Sequence, residues 1–280
     1  MKKLIILLFV LASNLTEAAW LTSFEEAQKE ALASNKFIIV DFWAVWCGPC
    51  KKMDSDSWSD ENVNLVLQDY VKVKIDIDFE RGLANKYGIS SIPNMFIMDA
   101  NGKVVYSFSG YHDAIGLKRE LDKFALSTQF LTSDLAIYHK LKGYNSSIRI
   151  AQKYFDYSLL VNKDIQWDII NTADDYLTDA KKMLSKTDES YAENKQRLEL
   201  LNLYKIAYSN NFSKLEKKLA EFKENEIIEN NIDQYYFLKY LVYKGTKKEG
   251  LNTALEEKVK TIEGFDYFIQ KIDLIIAKSS

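Results

Sequence analysis

The sequence predicts two structural classes in one chain: an α/β sandwich on a small mixed sheet, then an all-α region behind it. Three observations carry this. Both prolines, Pro49 and Pro93, and six of the ten glycines fall between residues 48 and 116, so turn-making residues crowd the front half. Four short runs rich in β-branched and aromatic residues lie in that same half. Behind residue 127, apolar residues recur at three- and four-residue spacing, the helical period. A chain of 280 residues is long enough for one large domain or two ordinary ones.

In chain order, residues 22–34 read as a helix. "FIIVDFW" at 37–43 is almost continuously apolar, which suits a strand covered on both faces. A helix is expected after Cys47 and another over 61–68, then a strand, "VKVKIDI", at 71–77 and a helix over 80–87. "NMFIMD" (94–99) and "KVVYSF" (103–108) form a hairpin through Asn101-Gly102, a strong tight-turn pair, and a helix over 113–126 closes the unit. Strand and helix in alternation, ending in a hairpin, make an α/β sandwich.

Further back, helical patterns cover 148–160, 191–208, 234–243, 251–262 and 265–277. Trp167, Ile170, Leu177, Ala180 and Leu184 recur on one face, and Phe212, Leu215, Leu219 and Phe222 on another. Helix pairs spaced roughly 35 residues apart suit a plain bundle or a tetratricopeptide-like array, and no repeat aligns residue by residue. Tyrosines such as Tyr235, Tyr236, Tyr240 and Tyr243 read as core and rim. The boundary between the halves is placed at 127/128, within a stretch running from Ser127 to Ser133.

The net charge of −3 and interspersed charges give no reason to expect a nucleic-acid partner. The first residues are different: Lys2 and Lys3, the apolar run "LIILLFVLA", polar "SNLTE" and then Ala18-Ala19. That order is the pattern of a cleaved signal peptide over residues 1–19. The apolar run is too short to cross a bilayer, which takes about 20 residues. The expected location is periplasmic or otherwise exported.

Outside the cytosol disulfides persist, so Cys47 and Cys50, the only two cysteines, could remain bridged. A bridge across so short a gap adds little stability, because the gain grows with loop length. A structural zinc site needs four ligands, and the only Cys/His set would add His112 and His139, with no ligand-like spacing; no metal is expected. A Cys–His nucleophile pair would leave the second cysteine unexplained. The reading that accounts for the whole stretch is a redox pair. Cys47 falls at a helix start, where unpaired N–H groups and the helix dipole favour thiolate. Cys50, one turn on and expected further inside, can attack a mixed disulfide formed on Cys47. Gly48 permits close approach, and Pro49 suits the first turn, where a missing N–H costs nothing.

"VDFWAVWCGPCKKM" at 40–53 resembles the active-site segment of thioredoxins, and the likeness extends over residues 20–126. The resemblance implies a thioredoxin-like domain over 20–127 followed by the helical domain, 128–280. It implies a buried acid at Asp41, a lysine beside it at Lys74, and a cis-proline facing the sulfurs at Pro93. It also implies a client-pairing backbone at Ile92, and it places Trp43, Trp46 and Gly110 on family positions. "KKMDSDSWSDENVNLVL" and "SGYHDAIGLKREL" resemble the C-terminal domain of periplasmic thiol:disulfide interchange proteins. Val45, where thioredoxins often carry an acid, departs from the pattern and makes the rim of the site more apolar.

The function expected is an exported thiol-disulfide oxidoreductase that reduces protein disulfides through Cys47 and Cys50, with no cofactor beyond that pair. Asp41 and Lys74 are expected to assist the chemistry; Trp46, Gly48, Pro49, Ile92, Pro93 and Gly110 are expected to contact the client. Its partners are disulfide-containing exported proteins and a membrane electron donor. The alternatives are a disulfide oxidase or isomerase, since direction follows reduction potential, and a helical protein-binding module on a scaffold thioredoxin-like domain. The rear half has no cysteine to relay electrons, so it is expected to select or dock clients.

Overall fold

The structure is a computed structural model describing residues 19–246 and 253–278. The signal peptide expected over 1–19 falls almost wholly outside the described residues, as does the start of the helix expected over 251–262.

The front half alternates as expected: α1 (Phe24–Ser34), β1 (Phe37–Trp43), α2 (Gly48–Asp56), α3 (Glu61–Leu67), β2 (Tyr70–Asp76), α4 (Arg81–Lys86), β3 (Asn94–Met98), β4 (Val104–Ser109) and α5 (Ala114–Asp122). Short polar residues start several helices. The Ser23, Asp60 and Asp113 side chains accept N–H bonds from the first turns of α1, α3 and α5. Asn35, at φ +58°, ends α1 in the left-handed conformation that asparagine tolerates.

The sheet order is β2-β1-β3-β4, with β1 parallel to β2 and the other pairs antiparallel. Alternation along β1 decides what each face meets. Ile38, Val40 and Phe42 join the core under α1 and α4, with Ala27, Ala31, Phe96 and Met98. Phe37 and Ile39 point the other way, into a core with Met53, Trp58, Leu67, Leu121 and Phe124. Asp41 continues that second, apolar face.

The second core does not stop at the α/β unit. It runs on through Leu131, Leu135, Tyr154 and Tyr176 into the helices behind. Those are α6 (Thr132–Lys140), α7 (Tyr144–Tyr157), α8 (Gln166–Met183), α9 (Tyr191–Asn202), α10 (Tyr204–Tyr208), α11 (Phe212–Leu219), α12 (Ile232–Gly245), α13 (Thr253–Lys260) and α14 (Phe265–Ala277). The last β-bridge joins Lys36 to Ser127, and among the described residues only helices and turns follow.

Three details differ from the sequence reading. α6 starts at the end of the boundary stretch, 127–133, and runs on through residues for which no element was expected; its apolar residues make only a weak stripe, yet Leu135, Tyr138 and Asp134 are buried. The helix expected over 191–208 is two, α9 and α10, meeting at Leu203. On α8 the buried face is Ile169, Ile170, Ala173, Tyr176, Leu177 and Ala180, whereas Trp167 is half exposed.

The β3–β4 turn plugs into the helices. Asp99 is fully buried, and its Oδ1 accepts the N–H groups of Asn101 (2.8 Å) and Lys103 (3.0 Å). Its Oδ2 accepts the hydroxyls of Tyr154 (2.9 Å) and Tyr176 (2.6 Å). Lys103 pairs with Asp179 at 2.7 Å, and Asn101 donates to the Leu135 carbonyl. Gly102 sits at φ +77°, where a side chain would be strained and would meet Tyr87. In the register, Phe42 faces Asn94 and Ile38 faces Met98, so Asp99 lies at the end of the sheet opposite the Trp43–Cys47 segment.

Candidate active site

Cys47 and Cys50 are joined in a disulfide at the start of α2. Cys47 is the N-cap: its backbone is extended (φ −78°, ψ 102°), its carbonyl accepts from Lys51 N, and its Sγ accepts the Cys50 N–H at 3.1 Å. That bond and the helix end favour negative charge on Cys47 sulfur once the bridge opens. Pro49 lies in the first turn, where its missing N–H is not needed. A side chain on Gly48 would meet nothing within 4 Å, so the bridge has open space beside it. The expected contrast between an outer and an inner cysteine is absent in this oxidised form. Cys47 is 3% exposed and Cys50 2%, because the capping turn folds Cys47 back over the helix start.

Asp41 is 2% exposed, with Oδ1 buried and unpartnered. Desolvation pushes its pKa up to about 6; Lys74 opposes that rise, and Asp54 adds to it. Lys74 lies across the β1–β2 register from Asp41, its Nζ 3.5 Å from Asp41 Oδ2 and in a closer ion pair with Asp54. The rings of Trp20 and Trp43 flank this ammonium at 5.2 and 5.8 Å. Asp54 lies four residues after Cys50, on the same face of α2. The chain Asp41–Lys74–Asp54 therefore runs from the sheet to the helix face that carries Cys50.

The Ile92–Pro93 bond is cis, and Pro93 O accepts the Gly110 N–H at 2.9 Å. Gly110 has φ +85° and is exposed, Pro93 is buried, and Ile92 is half-buried. Trp46 is 67% exposed, and its indole N–H donates to Asp78 Oδ2 at 2.8 Å. Lys52 sits 4.5 Å over the ring of Tyr111, which follows Gly110.

The structure thus joins Asp41 to Lys74, Cys47 to Cys50 and Pro93 to Gly110. Sequence reasoning missed Asp54 and Asp78. The four-residue spacing from Cys50 could have indicated Asp54; Asp78 sits in a loop with no local signal. Among the described residues no group of three or more His, Cys, Asp or Glu is arranged to hold a metal ion. A groove of about 770 Å³ between α9 and α11, lined in part by Lys195, Glu199, Phe222 and Ile228, lies in the helical half and includes no residue of this site.

A family profile described as a thioredoxin-like domain matches residues 24–125. The thioredoxin of Griffithsia pacifica is 36% identical over 111 residues, covering 38% of this chain and 93% of that protein. The chain belongs to the thioredoxin family. Bacillus subtilis thioredoxin is 35% identical over 94 residues, covering 33% of the chain and 86% of that protein. Among solved structures, the oxidised DsbD C-terminal domain of Neisseria meningitidis is similar at 20% identity, covering 38% of this chain and 99% of that one, with a TM-score of 0.33. A Thermus thermophilus thioredoxin is similar at 21% identity, covering 40% and 91%, with a TM-score of 0.36. As a member of the thioredoxin family with its paired cysteines bridged, the chain is a thiol-disulfide oxidoreductase.

Proposed function

We propose that the protein is an exported reductant of protein disulfides. The observation that supports the exchange chemistry is Asp41, a buried carboxylate with one free oxygen that is ionised above about pH 6. A reductase must discharge its mixed disulfide quickly, and a base linked to the Cys50 face of α2 serves that step.

The reaction starts from the dithiol form. The Cys47 thiolate attacks one sulfur of the client disulfide; a Cys47–client disulfide forms and the other client sulfur leaves as thiolate. Asp41 takes the proton of Cys50, and the Cys50 thiolate attacks Cys47 Sγ. The Cys47–Cys50 bridge forms and the second client thiolate leaves. The client has gained the two electrons that the protein has lost; of the two protons its thiolates take up, one is matched by the proton left on Asp41 and the other comes from solvent. This oxidised product is the state in the structure. Lys74 holds Asp41 and Asp54 in place, and a membrane dithiol donor restores the reduced form. Ile92, Pro93 and Gly110 supply backbone along which an extended client segment pairs.

Equilibrating the full chain with thiol redox buffers tests the direction. A potential near ~−270 mV supports a reductant, whereas one near ~−120 mV makes it an oxidant and refutes the proposal. Export rests on Lys2, Lys3 and the apolar run after them. Expression of the full chain in a bacterium with an envelope tests it: the mature protein should appear outside the cytosol, starting near Trp20.

A further inference from the structure

Among the described residues, Asp41 Oδ1 and Trp58 Nε1 are two of the three buried side-chain polar atoms without a hydrogen-bond partner. One is an acceptor and the other a donor. A buried indole N–H ordinarily finds a partner, and each orphan in a native core calls for a reason. Asp41 lies on the same side of β1 as Phe37 and Ile39, which pack in one core with Trp58. The two side chains already act on each other. Burial pushes the Asp41 pKa up to about 6, Lys74 opposes that rise, and hydrogen-bonding attraction from Trp58 opposes it too. Neither atom closes a bond of ordinary geometry in this oxidised form.

Trp58 is buried, and its backbone is fixed where α2 ends. Its N–H donates to Met53 O at 2.8 Å, and Ser57 beside it gives its hydroxyl to His112 O at 2.7 Å. Its ring meets Trp20 edge to face at 4.9 Å, and Trp20 in turn stands 5.2 Å from Lys74 Nζ. Leu21 ties that segment to β2, donating to Lys72 O and accepting from Lys74 N, both at 2.9 Å. One ring therefore braces both the ammonium and the indole that act on Asp41.

We propose that Trp58 is a positioning residue for Asp41, its indole N–H being the donor that holds Oδ1 of the ionised carboxylate. An ionised carboxylate has about four acceptor sites, so this bond leaves room for the proton of Cys50. It favours the ionised form, which keeps the base available at neutral pH against burial and the charge of Asp54. The groups that face Asp41 are Lys74 from β2, Asp54 from α2 and Trp58 after it, while β3 sets the apolar Met95 opposite. The inference rests on Asp41 as the base in the exchange proposed above.

The test uses the full chain in its oxidised form, labelled with nitrogen-15 and without client or reductant. The Trp58 indole resonance is assigned by elimination, replacing Trp20, Trp43, Trp46 and Trp167 in turn. In wild type it should move with pH, with a midpoint near 6, and in Asp41→Asn it should stay still. In Trp58→Phe, the Asp41 carboxyl, followed by infrared difference spectra against the Asp41→Asn,Trp58→Phe double variant, should hold its proton about tenfold more tightly, a rise of about one pH unit. The rising limb of the pH–rate profile for peptide-disulfide reduction should move up with it. A wild-type indole signal that ignores the Asp41 titration overturns the proposal, and so does a Trp58→Phe midpoint within about 0.3 pH unit of wild type. The first measurement needs no Trp58 variant to fold. Both titrations are read without thiol exchange, so their failure leaves the reductase reading standing, and a reduction potential that refutes the reductase leaves this contact standing.

Discussion

Replacing Asp41 by asparagine should make the oxidised protein more stable at neutral pH, although Asp41 belongs to the site. Burial raises the Asp41 pKa from an ordinary 3.8 to about 6. The native state therefore binds this proton more tightly than the unfolded chain. Between pH 4 and pH 6 the folded form carries the extra proton, so stability falls as pH rises through that window. Below it the group is neutral in both states and costs nothing. Above it the whole penalty is present: about two pH units at about 1.4 kcal/mol each, or roughly 3 kcal/mol. Asparagine keeps the shape without the charge, and Lys74 retains Asp54. In urea, at about 2–3 kcal/mol per molar, the midpoint should rise by about 1 M at pH 7.5. The gain should shrink towards zero at pH 3.5. No gain at pH 7.5, or a gain that persists unchanged at pH 3.5, refutes the claim that Asp41 is a desolvated carboxylate.

The same substitution should slow discharge of the mixed disulfide, seen as accumulation of a Cys47–client adduct at pH 7.5 in rapid-quench experiments. Lys74→Met removes the cation that lowers the Asp41 pKa, so the rising limb of the pH–rate profile should move up by about one unit. Cys50→Ser should trap one disulfide-bonded peptide per protein on Cys47, released by dithiothreitol, whereas Cys47→Ser should trap none. Asp99→Ala leaves the hydroxyls of Tyr154 and Tyr176 and two backbone N–H groups without their acceptor. It should cost about 3 kcal/mol or more in urea unfolding, with the tyrosine near-ultraviolet signal and redox activity lost in one transition.

The α/β half was legible because its signals are local. The near-continuous apolar run of β1 and the Asn101-Gly102 turn each act within a few residues, and the elements fall where those patterns end. Cys47 as the helix cap could likewise be read from its neighbours. The helical half yielded less. α6 shows almost no apolar stripe because its one buried face carries Asp134, paired with Arg149, beside Leu135 and Tyr138, and α8 turns Tyr176 rather than Trp167 inward, where its hydroxyl meets Asp99. The partners of Lys74 and Trp46 were out of reach for a different reason. Asp54 and Asp78 become neighbours only when α2 and the loop after β2 close on the sheet, and no spacing along the chain encodes that closure. Asp99 looked like one more turn aspartate; its second role depends on hydroxyls 55 and 77 residues further along.

That distance along the chain sets an order of events during biosynthesis. The segment carrying the sulfurs emerges early, yet the carboxylate at the far tip of its hairpin gains its last donor only when Tyr176 has been made and α8 has closed on it. The portion that is translated first must wait, incompletely sealed, for a much later stretch to finish it.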